Sequence, residues 1–249
     1  MTAPSGPLAL DDALARITRN FRGATAHADE IQCECHWGSA EELASLKVPD
    51  VVLDPDLLRR TVWATDWADQ ASVLRRVLPQ LAVAMAEGGV DDYDLPHLGE
   101  WIARGNWQQW PIDEAAAVGT FLEAWWVRSL TSPAALPAHQ ALTLCGGAAG
   151  TVGPWLAFWE TLDHPLATQR LAELVDEWGL ILLSDDLPWS TIDRKDEKLR
   201  ELTAWLLTHA PGRLAGHDRL LNILNRLTIT GPARWDDPDW PYPAAGWER

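Results

Sequence analysis

The sequence predicts an all-α protein, and three observations carry that prediction. Apolar residues recur at helical spacing along most of the chain, and no stretch sustains the apolar–polar alternation of a strand. Sixteen tryptophans, against three Phe and two Tyr, stand beside those helical patterns. Each indole can bury about 150–250 Å² while its N–H seeks a carbonyl, so the rings suit the junctions between helices and loops.

Taken in order, Leu10, Leu14, Ile17 and Phe21 form the stripe of a first helix. Ser39-Ala40-Glu41-Glu42 is a capping box opening a short helix with Leu43 and Leu46. Asp54-Pro55 sets an N-cap before a proline at the first helical position, where its missing N–H costs nothing. A further helix starts near Asp69 and carries Val73, Val77 and Leu81; Pro79 within it is expected to kink or break it. Asp94 takes the N-cap position before Leu95-Pro96-His97.

Pro111 opens the next helix, with Asp113 and Glu114 in its first turn and Val118, Phe121, Leu122 and Trp125 on its apolar side. The small residues from Cys145 to Gly153 lack the features of a phosphate or dinucleotide loop and predict a bend or a close helix contact. Pro165 directly follows His164, which suggests that His164 ends a helix. Leu171, Leu174, Val175, Trp178 and Ile181 mark another helix. A hairpin follows, with Leu199, Leu202, Trp205 and Leu206, a break at His209-Ala210-Pro211-Gly212, then Leu214, Leu221 and Leu224. His209 falls in the last turn of its helix, and His217 lies on the second apolar stripe as a core or interface histidine.

One internal echo bears on architecture. Trp63, Asp69, Ala71, Leu74, Val77 and Leu78 are matched 44 residues later by Trp107, Asp113, Ala115, Val118, Phe121 and Leu122. That period is the one used by HEAT-type helix pairs, so the expected array of helical hairpins is either a HEAT-like repeat or an irregular orthogonal bundle. The expected organisation is a single helical domain over residues 1–228. An irregular Pro/Trp-rich tail over 229–249 is expected to pack on it.

Charge narrows the partners. Thirty-six acidic residues against twenty basic ones give a formal net charge of −16, which disfavours nucleic acid and anionic lipid. There is no membrane-span candidate and no signal-peptide pattern, and three cysteines are too few for a disulfide scaffold; these point to a cytoplasmic protein.

The concentrated reactive cluster is Cys33-Glu34-Cys35-His36, with His27 upstream. Its thiolate and imidazole groups suit tetrahedral zinc, although the C-x-C spacing is not a standard zinc pattern. A strained C-x-C disulfide and a pair of buried loop anchors are the other readings of the two cysteines. Trp107, Trp110, Trp125 and Trp126 are near enough in sequence to line one aromatic pocket, and core packing explains them as well. The chain lacks the G-x-S-x-G, H-E-x-x-H and kinase signatures. Taken together, these features lean away from an enzyme. The leading expectation is a non-catalytic, acidic, helical interaction protein, a scaffold, adaptor or neutraliser of another, basic protein. The alternatives are a zinc protein built on residues 27–36, and an enzyme or small-ligand binder with a Trp-lined pocket.

Overall fold

The computed structural model describes residues 9–34, 37–91, 94–187, 189, 195–229 and 234. Among the described residues there are eleven α-helices and no strand. They are α1 (Leu10–Asn20), α2 (Ala40–Leu46), α3 (Pro55–Trp63), α4 (Gln70–Glu87), α5 (Leu95–Arg104), α6 (Ile112–Thr131), α7 (Ala138–Ala149), α8 (Gly153–Thr161), α9 (Pro165–Leu183), α10 (Lys195–Arg213) and α11 (Asp218–Leu227). A 3-10 turn, Trp107–Gln109, lies between α5 and α6. Apart from Ile229 and Arg234, the Pro/Trp-rich tail is outside the described residues.

The local start signals act as expected. Ser39 Oγ accepts from Glu42 N while Glu42 Oε2 accepts from Ser39 N, closing the capping box of α2. Asp54 Oδ1 accepts from Asp56 N, and Asp69 Oδ1 accepts from Ser72 N, at the heads of α3 and α4.

Proline is less disruptive than its position suggests. α4 runs unbroken through Pro79 and α10 through Pro211. Val73, Leu74, Val77 and Leu78 before Pro79, and Leu81, Ala82 and Met85 after it, are all buried. Burial of one continuous apolar face on both sides outweighs the roughly 3 kcal/mol that an interior proline costs.

Two histidines also differ from expectation. His164 does not end a helix; it caps the start of α9, its Nδ1 accepting from Leu166 N at 3.2 Å. His217 is exposed at the N-cap position of α11, three residues before Leu220, the first buried residue of that helix, so it is not a core residue.

The chain divides into two compact units, Met1–Thr151 and Val152–Arg249. In the first, the most extensive helix pairs are α5 with α7 and α1 with α6, with further contacts of α1 on α4, α6 on α7 and α3 on α5. The echoed apolar residues Leu74, Val77 and Leu78 of α4 and Val118, Phe121 and Leu122 of α6 are all buried. In the second, α9 packs on α11, where Gly179 makes room for the Ile223 side chain, and α10 packs on α8 and α11.

Tryptophan serves the junctions as its chemistry suggests. Indole N–H groups donate to carbonyls from Trp67 to Thr61, Trp107 to Ala148, Trp110 to Gly105, Trp125 to Met85 and Trp159 to Ala167. Ring pairs add to this: Trp37 meets Trp67 edge-on at 5.3 Å, and Trp159 meets Trp205 at 5.6 Å.

Three polar groups, Glu30 and Arg76 buried and Gln80 half-buried, fix the start of α4 and the segment that leads into α3. Glu30, almost wholly buried, accepts from Ala68 N at 2.8 Å and Asp69 N at 2.9 Å at the start of α4. Arg76 of α4 donates to the carbonyls of Val48 at 3.1 Å and Val51 at 2.6 Å, holding the segment before α3. Gln80 brackets Leu53, accepting from its N–H at 2.9 Å and donating to its carbonyl at 2.5 Å.

Candidate functional site

With the segment before α3 fixed in this way, a groove of about 480 Å³ remains between α3, the second half of α4 and the start of α5. Its walls follow helical spacing: Pro55, Leu58, Arg59 and Val62 on α3, and Gln80, Val83, Ala84 and Glu87 on α4. Leu81 and Leu98 are buried beneath it, and Trp63, Val83 and Val90 form its apolar lip.

Trp63 is the unusual ring in this set. It stays 37% exposed, whereas most other indoles are buried. One face stacks on His97 with centroids 4.2 Å apart and planes 8° from parallel. His97 is itself held because its Nε2–H donates to the Val62 carbonyl at 3.0 Å. The ring is therefore exposed and rigid at once.

The groove runs from a neutral end to an anionic end. Near its start Asp56 is engaged by Arg60 at 2.8 Å and Arg59 at 3.1 Å. The hydrogen bond from Arg60, then that from Arg59, holds the Asp56 carboxyl below its ordinary range. Glu42 is lowered in the same way, first by Arg60 at 2.6 Å and then by the Ser39 N–H. At the other end Glu87, Asp91 and Asp94 also line the groove, and among the described residues none of the three carboxylates meets a cation.

Glu87 lies in the last turn of α4, where the helix dipole disfavours an acid and where α4 carries no basic residue. Asp94 occupies the N-cap position of α5 as the sequence predicts, but its side chain makes no cap hydrogen bond. Among the described residues that carboxylate has no ion-pair partner.

The residues singled out from the sequence are placed differently. His27 is exposed, its Nδ1 accepting from Asp29 N at 3.3 Å. Cys33 is disulfide-bonded, so it offers no thiolate until reduced. Cys35 and His36 lie outside the described residues. Among the described residues no three His, Cys, Asp or Glu side chains are grouped as metal ligands. Cys145 is a buried free thiol, and burial pushes its pKa far above the ordinary value.

The four tryptophans do not share one pocket. Trp107 reaches α7 through its bond to Ala148, and Trp126 is buried. Trp110 packs edge-on to Phe21 at 5.7 Å under the Arg75 guanidinium, 4.0 Å from its ring. Trp125 lines a separate cavity of about 520 Å³ with Met85, Arg128, Ser129 and Leu136. Sequence reasoning passed over Trp63 and Val83 as site residues; the signal present was the Asp91–Asp94 acid run next to the Leu95 helix start.

An all-helical fold with one lipped, acid-ended groove is the class of structure these residues define. No family model, no curated protein and no solved structure matches the chain.

Proposed function

We propose that this chain is a non-catalytic interaction protein, a scaffold, adaptor or neutraliser, whose acidic helical body holds a basic partner protein. The observation that carries this reading is the groove on α3 and α4. Its apolar floor is open, its lip presents a rigid Trp63, and its lining includes three carboxylates that meet no cation among the described residues. Rigid exposed aromatics are the residues that interfaces use as anchors, and a net charge of −16 speeds encounter with a basic surface. A cytoplasmic setting without nucleic-acid contact belongs to the same reading. So does an irregular bundle in preference to a HEAT-like repeat, because the most extensive helix pairs, α5/α7 and α1/α6, are not consecutive hairpins.

Native mass spectrometry of the chain isolated from its source cells identifies a candidate partner. Titration of that partner against the wild type and Val83→Asp then tests the reading. Binding is expected to weaken steeply between about 50 and 300 mM salt and to be lost in Val83→Asp. Equal affinity for both proteins, unaffected by salt, contradicts it.

A second reading, a small-ligand binder, is favoured by the cavity beside Trp125. Its lining sets Arg128 together with the carboxylates of Asp11 and Glu87, which suits a small ligand that carries both charges. A saturable heat signal from a zwitterionic metabolite, abolished in Arg128→Ala, would support that reading.

A further inference from the structure

The groove carries carboxylates and an aromatic lip in one lining. The head of α3 is tied to α4 at Gln80 through Leu53, and its tail is tied toward the start of α4, where Trp67, three residues before Gln70, donates to the Thr61 carbonyl. Trp63 also stacks on His97, three residues after Asp94. The C-terminus of α4, which carries a partial negative charge of about half an electron, lies at Glu87. An aromatic face, several carboxylates and a negative helix terminus are together what recognises an organic cation.

Both walls are helices with groove-lining residues one turn apart, and their backbone groups are already satisfied within the helices. An extended strand would find no hydrogen-bonding edge here. A third helix can lay apolar residues at i, i+3 or i+4, and i+7 against the floor.

We infer that the groove takes an amphipathic cationic helix, which seats apolar residues over Leu58, Val83 and Leu98 and delivers a Lys or Arg side chain to the Glu87 and Asp91 carboxylates. This rests on the interaction-protein reading and names the partner segment for it. A second copy of this chain is a poor occupant, because two bodies each of charge −16 repel.

The test uses the full chain and three labelled peptides of about fourteen residues, roughly 21 Å as helices. They share one Leu pattern on the apolar face and carry Lys, Gln or Glu on the other. Fluorescence anisotropy is expected to show saturable binding of the Leu/Lys peptide and about tenfold weaker binding of the Leu/Gln peptide. Binding of the Leu/Lys peptide is expected to fall about tenfold in a Glu87→Lys/Asp91→Lys variant. A charge-matched Asp113→Lys/Glu123→Lys variant, altered at exposed positions on α6, is expected to stay within about twofold.

Matching circular dichroism melts establish that each variant is folded. Equal affinity for the Lys and Gln peptides, or equal loss in the two charge variants, overturns cation recognition. In that case sensitivity to Val83→Asp would leave the interaction-protein reading standing. Failure of any peptide to bind, or binding of the Leu/Lys peptide indifferent to Val83→Asp, overturns the groove as the docking site.

Discussion

The two sides of α5 are packed on opposite terms. Gly99 faces α7, where backbone meets backbone: a β-carbon there would lie 2.7 Å from the Leu144 carbonyl oxygen and 3.2 Å from the Gly147 Cα. Leu98, its neighbour, faces α3 and α4, where the walls stand apart and a groove is left. One face is closed to the limit that glycine permits, and the other is held open by polar ties at the start of α4 and on the segment that leads into α3. The contrast separates two jobs: close packing on α7 makes α5 a rigid post, and the post supports a surface on which Trp63 and Val83 stay exposed.

The largest effect is expected on the closed side. Gly99→Ala puts a methyl group into the Leu144 backbone, which has no rotamer with which to yield. A loss of about 2–3 kcal/mol is expected in urea unfolding. A loss under about 0.5 kcal/mol would mean that α5 and α7 are not in contact as described.

The ties of the open side come next. Glu30→Ala leaves two N–H groups at the head of α4 without their acceptor, and a cost of about 1–3 kcal/mol is expected by the same assay. If Glu30→Ala melted with the wild type, the placement of α4 would have to depend on other contacts.

A smaller effect concerns pH and the outer face of α3. The folded pKa values of Asp56 and Glu42 lie below their ordinary values because of Arg60. Their contribution is therefore present above the unfolded-state carboxylate range and is lost as pH falls through the depressed folded values. Arg60→Ala is expected to flatten the acid limb of a plot of stability against pH. An unchanged limb would remove the Arg60 network from the account.

The smallest effect on stability is expected at the groove lip. Val83 is 38% exposed, and Val83→Asp is expected to shift stability by no more than about 0.5 kcal/mol. A large loss of stability there would show that the lip is part of the core and not a vacant surface.

How far the sequence discloses this contrast depends on the range of the interactions involved. Caps at Ser39, Asp54 and Asp69 are read directly, because each bond spans two or three residues. Small residues at 145–153 correctly signal a close helix contact, yet nothing local identifies Gly99 as the other half. The groove depends on Glu30, Arg76 and Gln80, each reaching 25 to 39 residues along the chain. No periodicity encodes such reach.

The separate contacts of the four tryptophans have a related reason. Trp125 and Trp126 are neighbours in sequence but project about 100° apart around α6, so they serve different contacts. Trp63 was visible only as a member of the 44-residue echo. What singles it out is that its ring is exposed while its neighbours are covered, a property that only the packed molecule has. Asp94 shows the same limit: its N-cap position is legible, and the absence of a cap hydrogen bond from its side chain is not.

Hydrogen–deuterium exchange with and without saturating Leu/Lys peptide tests the central claim most directly. The account predicts slowed exchange concentrated in residues 58–63 and 80–91, with α7 unchanged. Protection centred on α7 or on α9 to α11, with the α3–α4 groove unaffected, would contradict it.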